Sequence, residues 1–356
     1  MTTESLHQRT ETHRTGAQLD RPVEYNLDED EVAQLTALAE RLRGKYGDPT
    51  GSEFYDLAWS VSELLLPPRL RMFLESFRRT EHSAACVVRG FPIRDEVVGP
   101  TPGHWRAAIE GDTARIQELF LALSGMTLGE PFGWATLQDG RLIQNVLPIR
   151  GDEERQSGYG SESLLEFHTE DGFHPNRCDY LLLMGLRNND QVPTIIASVR
   201  DLRLDERDRT VLSEDRFCIL PDTEHIRQLE MCHPDHPALL KMRRMLSDPT
   251  PTAVLFGDRP NPYLRIDRPF MRCLPGDVEA ETTLDRFMAE LERVQQDVVV
   301  EPGMLLIVDN YVAAHGRRSF QARYDGTDRW LKKLTVSRNL RRGLGGYHPD
   351  QRRVLM

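Results

Sequence analysis

Residues 164–179 read Leu164-Leu165-Glu166-Phe167-His168-Thr169-Glu170-Asp171-Gly172-Phe173-His174-Pro175-Asn176-Arg177-Cys178-Asp179, and this stretch decides how the rest is read. Its apolar start, 164–167, predicts a strand. In a strand, residues i and i+2 share a face, so His168 and Glu170 stand side by side. An imidazole and a carboxylate at that spacing can grip one metal ion, and a third donor must come from elsewhere. The run Ala313-Ala314-His315-Gly316-Arg317, behind the apolar segment 304–308, supplies a histidine. Two histidines and one carboxylate on one face of a metal leave the opposite face open, as in non-heme iron(II) oxygenases. Taken singly, each piece has a plainer reading: His168 and Glu170 as a chance pair, His315 as a satisfied core histidine.

Upstream of this stretch helices dominate. Asp28 opens one in which Val32, Leu35, Leu38, Ala39 and Leu42 recur at helical spacing before Gly44 ends it. Pro67-Pro68 opens a second, carrying Leu70, Phe73, Leu74 and Phe77. A short strand follows at 85–88. A helix over about 113–125 turns Ile116, Leu119, Phe120 and Leu123 inward, and the Gly-rich polar segment 129–140 reads as a loop.

Downstream, strands are expected at 142–149, 163–168, 180–187, 194–199, 216–220, 252–257, 262–267, 298–300, 304–309 and 329–337. The fully apolar Tyr180-Leu181-Leu182-Leu183-Met184-Gly185-Leu186 suits a central strand. Helices interrupt at 201–213 and 278–297, the latter striped by Leu284, Phe287, Met288, Leu291 and Val294. The pattern predicts a mainly β protein with flanking helices, a sandwich or jelly-roll barrel with an open mouth for a metal and a small ligand.

Bulk properties narrow the partners. The chain has 356 residues, 39% of them hydrophobic, enough for a core and compatible with one elaborated domain. Lys+Arg 45 against Asp+Glu 56 leaves a net charge of −11, which argues against nucleic acid or an anionic membrane and suits a cationic small substrate. Cys86, Cys178, Cys218, Cys232 and Cys273 are scattered without a CxxC pair and read as reduced thiols of a cytoplasmic protein. The N-terminus lacks a secretory h-region, and no apolar run approaches the ~18 residues of a membrane span. Residues 1–23 read as a disordered tail, 24–342 as one domain (helical over 24–130, β-rich over 131–342), and 343–356 as a basic, loop-like tail.

A further element is Arg329, at the head of Trp330-Leu331-Lys332-Lys333-Leu334. It can pair bidentately with the carboxylate of a bound acid, or form a surface salt bridge.

Together these residues resemble the clavaminate-synthase-like branch of the Fe(II)/2-oxoglutarate-dependent oxygenases. Within it they are most similar to the viomycin/streptothricin-type arginine hydroxylases of peptide-antibiotic biosynthesis. The resemblance covers residues 85 to 342. It is carried by Phe132-Gly133-Trp134-Ala135-Thr136 with Gln138-Asp139-Gly140, by Phe167-His168-Thr169-Glu170-Asp171 with Phe173-His174-Pro175, and by Leu186-Arg187-Asn188. Further on it rests on Pro221-Asp222, Tyr263-Leu264-Arg265-Ile266-Asp267, Ile307-Val308-Asp309-Asn310, His315-Gly316-Arg317, Arg323-Tyr324-Asp325-Gly326 and Asp328-Arg329-Trp330-Leu331.

The resemblance implies a double-stranded β-helix (jelly-roll, cupin-like) core with Fe(II), 2-oxoglutarate and O2. It makes His168, Glu170 and His315 the iron ligands, and a carboxylate at that place argues against a halogenase. Arg329 is implied to clamp the C5 carboxylate of 2-oxoglutarate, with a hydroxyl from Thr194. Gln138 and Glu170 would hold the substrate α-amino group. Lys333 stands where close relatives carry an Arg facing the substrate carboxylate, keeping the charge but losing the fork. Asp267 would face the cationic end of the substrate, although alone it reads equally as a turn or surface carboxylate. Two residues on, where arginine hydroxylases place a second carboxylate, this chain has Pro269. Asp222 lies in a segment, 216–235, that resembles a substrate-covering lid and joins the same grip.

The implied reaction is hydroxylation of an unactivated carbon, C3 first, of a free basic L-amino acid, arginine first. Enduracididine, ornithine or lysine, and 4,5-desaturation of arginine, are the alternatives with the same cofactors. Two readings of other classes stay open at this point: a zinc hydrolase using the same three ligands, in which Arg329 has no role, and a non-catalytic ligand-binding barrel. The oligomeric state is open.

Overall fold

The computed structural model describes residues 19–43, 45–111, 113–232, 234–343, 346–348 and 351–356. The chain opens with β1 (Val23–Asn26), α1 (Glu29–Leu42), α2 (Ser52–Leu65), α3 (Pro68–Thr80), β2 (Ala85–Arg89), α4 (Asp95–Val98), α5 (Trp105–Glu110) and α6 (Arg115–Leu128). Then come β3 (Glu130–Trp134), β4 (Ile143–Val146), β5 (Leu165–His168), β6 (Tyr180–Arg187) and β7 (Pro193–Ser198). The middle holds α7 (Glu206–Leu212), β8 (Phe217–Ile219), α8 (Thr223–Cys232), α9 (Pro237–Ser247), β9 (Leu255–Gly257), β10 (Pro262–Leu264) and β11 (Met271–Cys273). It closes with α10 (Val278–Val294), β12 (Gln296–Val299), β13 (Leu305–Asp309), β14 (Ala313–Arg317), β15 (Trp330–Ser337), β16 (Tyr347–His348) and β17 (Gln351–Leu355).

The helix signals act as their chemistry dictates. Asp28 caps α1 in a full capping box with Glu31, and Leu35, Leu38, Ala39 and Leu42 form its buried stripe. Pro68 occupies the first turn of α3, where a missing N–H costs nothing.

Two sheets organise the rest. A nine-stranded sheet runs β1-β2-β13-β6-β15-β3-β17-β16, with β4 also on β15, and a four-stranded sheet runs β12-β7-β14-β5. Pleating divides the large sheet's side chains between two cores. Cys86, Val88, Leu182, Met184, Leu305 and Ile307 pack with α1, α2, α3 and α6. Val87, Leu181, Leu183, Leu306 and Val308 point the other way, toward β7 and β14 of the small sheet. The same alternation on β15 sends Lys332 outward to an ion pair with Glu118 of α6 and Lys333 inward to the cavity between the sheets.

Several boundaries differ from the sequence reading. The expected tail over 1–23 lies outside the described residues up to residue 18, but Asp20 is buried and accepts from Ser198 Oγ and the Ala84 N–H, and Val23 already pairs in β1. Gly44, the expected stop of α1, is also outside the described residues. The expected loop over 129–140 contains β3, and the expected loop-like tail after 342 returns as β17, pairing in parallel with β3. β3 carries Pro131 and Gly133, which depress strand propensity, and neither strand has a run of β-branched residues; both are placed by pairing, β3 between β15 and β17 and β17 between β3 and β16. The expected lid, 216–235, holds β8 and α8. Among the described residues no helix is long and apolar enough to cross a membrane.

Candidate active site

β5 and β14 pair antiparallel in the small sheet, and their register sets His168 directly opposite His315. The two imidazole centroids lie 4.3 Å apart. Glu170 reaches them from beyond the strand: its Oε2 is 3.9 Å from His168 Nε2 and 3.5 Å from His315 Nε2. Ligand atoms of the three residues all fall within 4.8 Å of one another, and among the described residues this trio is the one group of its kind.

The protonation states suit a metal. His168 Nδ1 lies 2.9 Å from the Glu166 carbonyl, so with the proton assigned to Nδ1 the Nε2 lone pair faces the trio. Burial, then the neighbouring His315, pushes the His168 pKa down to about 4, which keeps the ring neutral at pH 7. Burial opposes ionisation of Glu170, but Lys333 and the two imidazoles outweigh it and hold its carboxyl well below the ordinary range. Two imidazoles and one carboxylate on a single wall of a cavity are the donor types an iron(II) ion accepts, and the residues fit the group.

An anion site adjoins the trio. Arg329, at the entry to β15, is buried, and its Nη2 donates to Thr194 Oγ1 of β7 at 3.2 Å. Its Nε has no hydrogen-bond partner, and no carboxylate of a described residue pairs with it. Burial, then the nearby Arg317, lowers its pKa to about 9. A buried guanidinium left with spare donors is a receptor for a carboxylate.

The opposite character prevails under α8. Asp222 is pushed up to about 6 by burial. Burial, then Asp222, raises Asp267 well above the usual carboxylate range. Neither carboxylate has a cationic partner among the described residues, so this end of the cavity is matched to a cation. The cavity, about 1050 Å³ including its open mouth, is lined by all nine residues singled out from the sequence: Gln138, His168, Glu170, Thr194, Asp222, Asp267, His315, Arg329 and Lys333.

Three details depart from expectation. β5 ends at His168, so Glu170 is not presented by strand alternation; the chain turns after the histidine. Gln138 lines the cavity, but its amide is already engaged: Oε1 accepts from Asn145 N–H, and Nε2 donates to Asn145 O and to the Tyr159 hydroxyl. Lys333 is paired with Glu170 at 2.7 Å instead of standing free for a carboxylate.

Other residues of the site carried no role in the sequence reading. Asp171, in the left-handed region at φ +53°, accepts from Trp134 Nε1 at 2.6 Å and lies 3.2 Å from His225 Nε2. Asn310 holds the backbone of Glu170. Tyr159 lines the cavity beside Gln138. Trp134, Asp171 and Asn310 lay inside the runs that carried the family resemblance, but only tertiary contacts reveal their work.

Fold and site together set a trio that could hold one metal ion next to a receptor for a carboxylate. Comparison with known proteins agrees. Residues 81–335 match the family model described as taurine catabolism dioxygenase TauD, TfdA family. The chain is 40% identical over 330 residues to the enduracididine beta-hydroxylase of Streptomyces hygroscopicus, covering 89% of this chain and 95% of that one. It is 41% identical over 324 residues to the L-ornithine/L-arginine 3-hydroxylase of Catenulispora acidiphila, covering 88% and 93%. The crystal structure of the non-heme iron oxygenase OrfP with Fe, succinate and (3S)-hydroxy-L-Arg superposes with a TM-score of 0.87 at 36% identity, covering 94% of this chain and 99% of that one. OrfP has also been solved with Fe and alpha-ketoglutaric acid, with a TM-score of 0.81. The chain belongs to the TauD/TfdA family of iron(II)- and 2-oxoglutarate-dependent dioxygenases. That membership displaces the zinc-hydrolase and non-catalytic readings.

Proposed function

We propose that this dioxygenase hydroxylates C3 of a free basic L-amino acid, L-arginine first, in natural-product biosynthesis. The observation that carries the reading is the charge layout of one cavity. A His/Glu/His trio stands beside Arg329, which has no carboxylate partner among the described residues, and the carboxylates Asp222 and Asp267, which have no cationic partner among them, lie under α8. Both curated relatives are named as β- or 3-hydroxylases of guanidine- or amine-bearing amino acids.

His168, Glu170 and His315 hold the iron, and Arg329 with Thr194 holds the distal carboxylate of 2-oxoglutarate. Iron(II) with this cosubstrate uses O2 to replace a C–H hydrogen by hydroxyl, leaving succinate and CO2. The remaining work falls to the chain. Asp222 and Asp267 fix the guanidinium, while Glu170 and Lys333 offer opposite charges to the α-amino and α-carboxylate groups. A substrate held at both ends presents one carbon to the oxidant, so regiochemistry becomes a matter of length. α8 covers the site and excludes water. Pro269 and Phe270 put an apolar wall beside Asp267, which also suits the ring of a cyclic guanidine such as enduracididine.

The two facing sheets and the match to OrfP support a jelly-roll reading of the core. The unpaired thiols of Cys86, Cys178, Cys218 and Cys273 support a reducing, cytoplasmic setting.

The test is a panel of arginine, enduracididine, ornithine and lysine with iron(II), 2-oxoglutarate and air. Succinate release and product mass are the readouts. A gain of one oxygen on arginine, placed at C3 by NMR, is the expected result. Loss of two hydrogens instead makes the enzyme a desaturase, and no stimulation by any basic amino acid overturns the substrate reading.

A further inference from the structure

The carboxylate ligand sits where secondary structure gives it no support. After His168 the chain leaves β5. Thr169 N–H donates to Ile266 O at 2.7 Å, Gly172 N–H closes a turn onto Thr169 O at 3.0 Å, and Asp171 between them is left-handed. Strand β5 therefore ends two residues before Glu170 and does not fix it. Without another partner the Glu170 backbone donor and acceptor would be orphaned beside a buried site, which is unfavourable for both groups.

The missing partner is a side chain 140 residues downstream. Asn310 lies in the turn between β13 and β14 and is completely buried. Its Oδ1 accepts from Glu170 N–H at 2.7 Å, and its Nδ2 donates to Glu170 O at 3.1 Å and Cys178 O at 3.0 Å. One side-chain amide thus does for Glu170 what a residue on a neighbouring strand would do, engaging both backbone groups. The residue type is constrained. Aspartate has no donor and would set an anion against two carbonyl oxygens, and glutamine is one methylene too long. Asn310 also heads the segment that carries His315, so the stretch delivering the second histidine grips the backbone of the carboxylate ligand.

We propose that Asn310 is a positioning residue for the metal site: it touches neither metal nor substrate, yet it sets where Glu170 presents its carboxylate and hence how tightly the trio holds a divalent ion. This rests on the reading of His168, Glu170 and His315 as the ligand set.

The experiment titrates metal-free full-length enzyme with Mn(II), a redox-stable substitute for iron(II), by calorimetry, and records the melting temperature of each protein. Asn310→Ala, Asn310→Ser and Asn310→Asp are compared with Asn188→Ala and His168→Ala. Asn188 is the matched control. It is also buried and makes the same kind of clamp, accepting from Val192 N–H at 2.9 Å and donating to Val192 O at 3.0 Å and Val300 O at 3.3 Å. It does not line the cavity. Loss of an outer hydrogen-bond partner to a metal ligand weakens metal binding about 10–100-fold, and that is the expected loss in each Asn310 variant that folds. Asn188→Ala should lose a comparable amount of melting temperature and keep its affinity. Asn310 variants that melt earlier but bind Mn(II) as Asn188→Ala does would overturn the proposal. If none of the three folds without metal, refolding each with increasing Mn(II) gives the same comparison from the concentration needed for half recovery. Wild-type affinity in His168→Ala would refute the ligand set itself, and the proposal with it.

Discussion

Lys333 Nζ lies 2.7 Å from Glu170 Oε1, while Oε2 of the same carboxylate faces both imidazoles. One glutamate therefore divides its two oxygens between a buried ammonium and a metal position. The pair is largely out of water, with side chains 17% and 13% exposed. Removing one partner of such a pair leaves the other charged and alone, a cost of roughly 3–5 kcal/mol. A divalent ion on Oε2 would supply the lost positive charge. Lys333→Met should thus be markedly less stable than wild type in urea without metal, and the gap should narrow with saturating Mn(II). Lys333→Arg should show little loss in either condition. A gap untouched by Mn(II) would mean that Glu170 is not a ligand.

Arg329 offers the cleanest separation of cosubstrate from substrate. Its guanidinium is buried, bonded to Thr194 and otherwise open to an anion. Truncating one partner of a buried charge-assisted pair costs about 2–5 kcal/mol, or roughly 30- to 4,000-fold in affinity. Arg329→Ala should raise the KM for 2-oxoglutarate by that factor and leave the KM for the amino acid nearly unchanged. Steady-state kinetics with each substrate varied in turn decide it.

A pH dependence follows from Asp222, whose carboxyl rises from its ordinary value of 3.8 to about 6 on burial. Between those values the unfolded chain has released a proton that the folded protein keeps, so the substrate-free enzyme loses stability as pH rises through this window. A bound guanidinium favours the ionised form and reverses the preference. The KM for arginine should therefore fall as pH rises from about 5 to about 7. Asp222→Asn should raise that KM and flatten its dependence on pH. An unchanged slope in the variant would remove Asp222 from the substrate grip.

The meeting of His168, Glu170 and His315 was legible in the sequence because metal chemistry needs particular side chains, and these three, with Arg329 after them, stand out by type and order. The reason given for their meeting was partly mistaken. Pleat alternation was expected to bring Glu170 beside His168, but β5 stops at the histidine, and a turn braced by Asn310 and Ile266 completes the placement. Such long-range braces leave no periodic trace. The expected strands omit β1, β3, β11, β14, β16 and β17; of these β3 and β17 lack the β-branched runs that mark strands, and they are held by pairing with each other and with β15 and β16. Lys332 and Lys333 show the same limit from another side. They are neighbours of one type, and only the alternation of β15 separates a bond to Glu118 of α6 from one to Glu170.

The last prediction concerns how α8 is held over the cavity. His225 projects from this helix into a ring of Trp134, Phe173 and His174. Its Nδ1 is 2.5 Å from Thr136 Oγ1 and its Nε2 is 3.2 Å from Asp171 Oδ1, so with the proton on Nε2 both nitrogens are engaged. α8 begins directly after Asp222, and the histidine therefore registers that carboxylate over the site. His225→Phe keeps the aromatic packing but strands two buried polar groups, a loss of about 1–3 kcal/mol. If that energy holds the covering segment in place, the KM for arginine should rise roughly 5- to 150-fold. The KM for 2-oxoglutarate should stay constant, because Arg329, at the entry to β15, and Thr194, on β7, bond to each other and share no hydrogen bond or ion pair with the described residues of α8. Hydrogen exchange should become faster across 220–232 in the variant without a matching change in β5 or β14. Equal increases in both KM values, or exchange that quickens throughout the small sheet, would show that His225 supports the fold at large and not the closure of the site.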